Sequence, residues 1–176
     1  HSGPASAGPA DRKGDLTTMK IGTFEVGRIG LGTNRLRNTP RDVAFVRAAV
    51  EAGVRMIDTA RLYTDGDSER AIGAALSAVA PDCVVATKGG YGGAGPGRPA
   101  VLRAQIEESL RSLGAERIAL YYLHRVDPET PIEESLAAIK EYVDRGTILH
   151  VGISDVTIGQ IERARRVLPV AAVQNR

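Results

Sequence analysis

Residues 118–154 read IALYYLHRVDPETPIEESLAAIKEYVDRGTILHVGIS, and the order of patterns within this stretch decides the fold. IALYYLH is a continuous apolar run that ends on an imidazole, and ILHVGIS is a second apolar run. Between them Leu136, Ile139 and Val143 recur at helical spacing. Thr130-Pro131-Ile132-Glu133 carries the signature of a capping box with proline at the first helical position, and Gly146 suits the exit. Two strands of continuous apolar residues joined by an amphipathic helix predict a parallel pair linked by a helical crossover.

The same unit repeats on both sides. Upstream, VRMID at 54–58 reads as a strand, followed by a helix from about Ser68 to Leu76 with Ile72, Ala75 and Leu76 inward. DCVVATK at 82–88 is a further strand. Leu102, Ile106, Leu110 and Leu113 mark the next helix, which Gly114 ends. Downstream, TIGQIERARRV is a fifth helix and VAAVQN a sixth strand. At the other end TTMKIGTFEVGRIGLGTN, residues 17–34, reads as a glycine-turned hairpin running into a first strand. Thr39 then caps a helix with Pro40 at its first position, Val43, Val46, Ala49 and Val50 inward, and Gly53 at the exit.

Six strands alternating with five helices predict an α/β fold, a parallel sheet covered by helices. A dinucleotide-binding Rossmann sheet is disfavoured, because Gly30 and Gly32 alone do not make G-x-G-x-x-G. The expectation is a (β/α)8 TIM barrel, of which this chain supplies about six strands and five helices. Closure takes eight strands and about 250 residues. Residues 17–176 are therefore expected to be the N-terminal portion of a barrel, completed by a longer polypeptide or by a partner.

Composition narrows the function classes. A net charge of +2 over 176 residues gives no argument for nucleic acid or an anionic membrane. The five tyrosines and two phenylalanines are too few for a base-stacking platform, and the longest apolar runs fall far short of a membrane span. Cys83 is the only cysteine, which excludes a disulfide framework and points to a reducing cytoplasm. It opens the run CVVAT and reads as a small buried residue. Residues 1–16, rich in Pro, Gly, Ala and Ser, are expected to be a disordered tail or tag remnant without the apolar segment of a signal peptide.

Chemistry gathers where apolar runs end. Asp58 and Tyr63 follow VRMI, Lys88 ends CVVATK, and His124 ends IALYYLH. In a barrel, catalytic groups lie at such C-terminal strand ends. The chain has nineteen arginines but four lysines, so a lysine at a buried strand end stands out: an ammonium is desolvated and retuned more readily than a guanidinium. Asp58 is placed to pair with Lys88 if their strands are neighbours, because Asp65, Asp67 and Ser68 are better placed to cap the helix that follows. A free phenol titrates at about 10, and a nearby ammonium is expected to lower Tyr63 toward the working range. His124 is placed to orient a substrate oxygen or relay a proton. His150 lacks such company and reads as a strand residue that packs or faces the helices.

MIDTARLYTDGDSERAIGAAL, VVATKGG, LYYLHRVDPETPIEESL, HVGISD and AVQNR, in this order, resemble the aldo-keto reductases. The resemblance covers about residues 20–176. It implies a (β/α)8 barrel that binds NADPH without a Rossmann fold and reduces aldehydes or ketones. In that resemblance Tyr63 is the general acid, Asp58 and Lys88 tune it, and His124 orients the carbonyl. Ser154 and Gln174 match residues that hold the nicotinamide carboxamide. Asp155 stands where the family has Asn, a departure that removes an amide donor. Gly32, Thr33 and Asn34, at the end of the first strand, are expected neighbours of the cofactor. TKGGYGGAGPGRP resembles a subgroup that includes bacterial pyridoxal reductases, and Tyr91 in that loop is expected to contact a flat substrate. Arg61 and Arg125 near the rim hint at an anionic or planar substrate. No metal is implied. Two alternatives stand beside this reading: a non-catalytic nicotinamide-binding subunit of the same fold, and an inactive truncated barrel.

Overall fold

The computed structural model describes residues 18–77 and 83–175; the tail expected at 1–16 lies outside them. β1 (Thr18–Ile21) and β2 (Phe24–Gly27) pair as an antiparallel hairpin. β3 (Leu31–Gly32), α1 (Pro40–Glu51), β4 (Met56–Asp58), a 3₁₀ turn (Tyr63–Gly66) and α2 (Asp67–Leu76) follow. β5 (Val84–Gly89), α3 (Pro99–Leu113), β6 (Ile118–Leu123), α4 (Ile132–Asp144), β7 (Ile148–Ser154), α5 (Ile158–Val167) and β8 (Val170–Gln174) complete the order. Strands β3 to β8 lie in chain order in one parallel sheet, which curls into a partial barrel with the five helices outside.

Side chains alternate across each strand, and this divides the core into two layers. Ile57, Val85, Tyr121, Leu123, Val151 and Ile153 face the helices. There they pack with Ile72 and Ala75 of α2, Leu102 and Ile106 of α3, and Leu136 and Ile139 of α4. Each such aliphatic side chain contributes roughly 1.5–3 kcal/mol of burial. Met56, Ala86, Leu120, Tyr122 and Ala172 face the interior, with Ile21 of the hairpin against them. The hairpin closes the end at which the strands begin. His150 packs there, its ring edge-on to Phe24 at 5.3 Å and its Nε2 accepting from the Thr23 backbone N–H at 3.1 Å. It faces the hairpin rather than the helices.

The helix ends follow the sequence with two corrections. Thr39 caps α1 by accepting from the Asp42 N–H, with Pro40 beginning the helix, and Gly114 closes α3 at φ +61°. The capping box expected at Thr130–Glu133 does not form. Pro131 occupies the cap with no side-chain bond. The helix starts at Ile132, one residue late, so Thr130 lies outside the cap position; its hydroxyl donates to the Asp127 carboxylate at 2.9 Å, which also accepts from the Gly97 and Glu129 N–H groups. A capping box forms instead at Thr157 and Gln160 of α5. At α2 no side chain caps; Gly66, at φ +83°, leads into the helix and Asp67 is its first residue.

Candidate active site

The inward rows of the sheet run straight to the polar strand ends. Asp58 lies level with Ala86, Lys88 with Tyr122, Tyr122 with Gly152, and Ser154 with Gln174. Apolar side chains fill the lower interior, and the last inward position of each strand from β4 to β8 is polar.

Lys88 is 1% exposed. Its Nζ donates to both Asp58 oxygens and to the Thr59 carbonyl, each at 2.8 Å, which uses all three ammonium protons. Burial lowers the Lys88 pKa and the Asp58 carboxylate opposes that drop. The same Nζ sits 5.1 Å from the centre of the Tyr63 ring and 5.8 Å from that of Tyr122.

Tyr63 follows the expectation in position but not in titration. Its phenol is pushed above the ordinary value, by burial first and the Asp58 charge second. The ammonium does not bring it down because the Lys88 protons are taken by Asp58 and Thr59, and Nζ lies over the ring face. His124 stands edge-on to Tyr63 at 6.0 Å and to Tyr91 at 5.3 Å. Burial, then the charges of Lys88 and Arg125, push its pKa down to about 4. His124 is therefore a neutral imidazole at pH 7, one nitrogen donating and the other accepting. Its Nδ1 is buried and has no hydrogen-bond partner among the described residues.

Tyr63, Lys88 and His124 line one side of a cleft of about 320 Å³, and Arg125, Ser154, Asp155, Gln174 and Asn175 line the rest. Asp155 holds a left-handed backbone at φ +52°. Its N–H donates to the Gln174 carbonyl at 3.2 Å and its carboxylate pairs with Arg125 at 3.0 Å. Asn175 braces the same wall: its Oδ1 accepts from the Val156 N–H at 3.0 Å and its Nδ2 donates to the Val156 carbonyl at 2.8 Å. The Arg125 guanidinium also lies 4.7 Å from the centre of the Tyr91 ring, and its Nε is buried without a partner among the described residues.

The structure thus gathers Asp58, Tyr63, Lys88, His124, Ser154, Asp155 and Gln174, with Tyr91 beside His124. Gly32 and Thr33 do not line this cleft. The Thr33 side chain is buried and its hydroxyl donates to the Asp58 carbonyl at 2.9 Å, so it braces the chain at Asp58. Arg61 turns away to Glu108 at 2.9 Å. Two members of the site escaped sequence reasoning. Tyr122 was readable from alternation, two residues before His124. Asn175 was readable from the rule that singled out Lys88, a polar residue closing an apolar run. Among the described residues no cluster of three or more His, Cys, Asp or Glu could hold a metal ion, and no helix is long and apolar enough to cross a membrane.

Comparison with known proteins adds the following. The model of the Aldo/keto reductase family matches residues 28–176. An uncharacterised oxidoreductase of Schizosaccharomyces pombe is 35% identical over 173 residues, covering 90% of this chain and 56% of that protein. Aldo-keto reductase str7 of Strobilurus tenacellus is 36% identical over 174 residues, covering 90% and 51%. Among solved structures, a glycerol dehydrogenase from Gluconobacter oxydans superposes with a TM-score of 0.82 at 33% identity, covering 90% of this chain and 54% of that one. An aldo/keto reductase from Klebsiella pneumoniae, in complex with NADP and acetate, gives a TM-score of 0.73 at 28% identity, covering 86% and 54%. The chain spans about half the length of the relatives it matches.

Proposed function

The chain belongs to the aldo/keto reductase family, and from that premise we propose that it reduces an aldehyde or ketone to an alcohol with NADPH, using Tyr63 as the general acid. The observation that carries this reading is the Lys88 ammonium, enclosed between the Asp58 carboxylate and the Tyr63 ring, with His124 at the mouth of the same cleft. A nicotinamide dinucleotide, when bound, supplies the hydride. The donor set fits one: Ser154 offers a hydroxyl, Gln174 an amide and Asp155 two acceptors, all on one wall, which suits a carboxamide. The solved relative from Klebsiella pneumoniae with NADP supports NADPH over NADH.

The work of the protein is to place and move one proton. Neutral His124 donates a hydrogen bond to the carbonyl oxygen and holds it near the Tyr63 hydroxyl. As negative charge develops on that oxygen, Tyr63 gives up its proton to it. Asp58 keeps Lys88 charged and fixed in a site where burial works against its charge. Tyr91, 39% exposed and stacked under Arg125, offers a flat face to a planar aldehyde. The single cysteine supports a reducing compartment, the cytoplasm.

The test is turnover of NADPH and of NADH with a panel of aromatic and aliphatic aldehydes. NADPH consumption that depends on the aldehyde is expected, with NADH slower. A preference for NADH would overturn the cofactor assignment, and tight NADPH binding without turnover would favour a binding subunit.

A further inference from the structure

The side chains in the cleft are held from behind by one serine. Ser68, in the first turn of α2, is fully buried. Its hydroxyl lies 2.8 Å from Thr59 Oγ1, 2.8 Å from Thr33 Oγ1 and 3.0 Å from the Thr33 carbonyl. The Thr33 hydroxyl donates to the Asp58 carbonyl, so it accepts from Ser68, and Ser68 in turn accepts from Thr59. One line of protons therefore runs Thr59, Ser68, Thr33, Asp58 carbonyl. It grips the chain immediately after the Asp58 side chain, at the Asp58 carbonyl and the Thr59 hydroxyl. The Thr59 carbonyl, at one end of that grip, is also the third acceptor of the Lys88 ammonium.

The same serine anchors the route to Tyr63. Between Tyr63 and α2 lie Thr64 at φ +49°, Asp65 at φ +55° and Gly66 at φ +83°. Consecutive left-handed residues cost about 1–2 kcal/mol each for the two that are not glycine, and they persist where the surroundings over-determine them. Beside Ser68, the buried Glu69 carboxyl accepts from the Thr87 hydroxyl, next to Lys88 on β5. The first turn of α2 thus touches the ends of β3, β4 and β5 at once.

We propose that Ser68 is a positioning residue for the Asp58–Lys88–Tyr63 group, setting the geometry of the ammonium through Thr59 and Thr33 without touching substrate or cofactor. Its catalytic consequence rests on the reductase reading; the geometric claim does not.

The test follows the Lys88 ammonium directly, in protein labelled with nitrogen-15 lysine at mildly acidic pH. The described Lys20 and Lys140 are not buried, and an enclosed ammonium with three acceptors exchanges its protons slowly. The parent is expected to give one resolved ammonium signal that Lys88→Met removes. Ser68→Ala should abolish or severely broaden it, and so should Thr59→Val, which keeps the shape of the side chain and serves if Ser68→Ala does not fold. Gly73→Ala, a destabilising change on the other side of α2, should leave it intact. In turnover assays Ser68→Ala should lower kcat by on the order of 10–100-fold with the KM for NADPH unchanged. A signal that survives in Ser68→Ala and Thr59→Val, or that is absent from the parent, overturns the inference. An inactive parent with the signal behaving as expected overturns the reductase reading instead and leaves the positioning claim standing.

Discussion

At the scale of the residue, Lys88 and His124 are tuned by opposite means. Lys88 is enclosed but matched by a carboxylate and a carbonyl. His124 is enclosed beside two cations and its pKa falls to about 4, well below the roughly 6.5 of an unfolded histidine. Linkage fixes the sign. Between about pH 6.5 and 4 the unfolded chain binds a proton at this position that the folded chain refuses, so stability rises with pH across that window. The stabilisation is complete above about 6.5 and is lost as the pH falls toward 4. Urea midpoints measured from pH 7 down to pH 4.5 should decline, and His124→Gln should make that decline shallower. An unchanged pH slope in His124→Gln would show that the imidazole is not held neutral by its surroundings. Titration was the least legible property of the site. The sequence put Lys88 and Tyr63 together correctly, but the direction of the Tyr63 shift depended on where three ammonium protons point, which no spacing encodes.

At the scale of the element, contacts between helices decide what a glycine does. A Cβ on Gly73 of α2 would lie 2.7 Å from the Ser112 carbonyl and 2.8 Å from that of Leu113, so α2 and the end of α3 approach backbone to backbone. Gly73→Ala should destabilise by about 1–3 kcal/mol. Gly159, in the first turn of α5, has nothing within 4 Å of such an atom. Gly159→Ala should therefore stabilise by about 0.5 kcal/mol through the unfolded state. Thermal melts of the two variants check the opposite signs; a stabilised Gly73→Ala would mean that the helices are free to separate. Helix boundaries were legible where the signal is local, as at Thr39-Pro40 and Gly114. They misled at Thr130, because the helix starts at Ile132 with Pro131 at the cap, which leaves Thr130 one residue too early. A capping motif works only in register with the first helical residue.

At the scale of the whole molecule, strand order follows chain order and each step is a helical crossover. This is why the fold could be read from continuous apolar runs alternating with amphipathic helices. It is also why polar residues that close those runs, from Asp58 to Gln174, meet at one end of the sheet. The supports behind them were less legible: the bonds that tie Thr33 to Ser68 and to the Asp58 carbonyl appear only when α2 is seen packed against the ends of β3 and β4. In the proposed reaction this convergence hands a proton to a carbonyl oxygen through Tyr63. The most direct measurement is the rate of aldehyde-dependent NADPH oxidation in Tyr63→Phe beside the parent, since the phenylalanine keeps the ring and removes only the hydroxyl. A fall in kcat of at least about 100-fold with NADPH binding retained is expected; equal rates in the two proteins would remove Tyr63 as the acid.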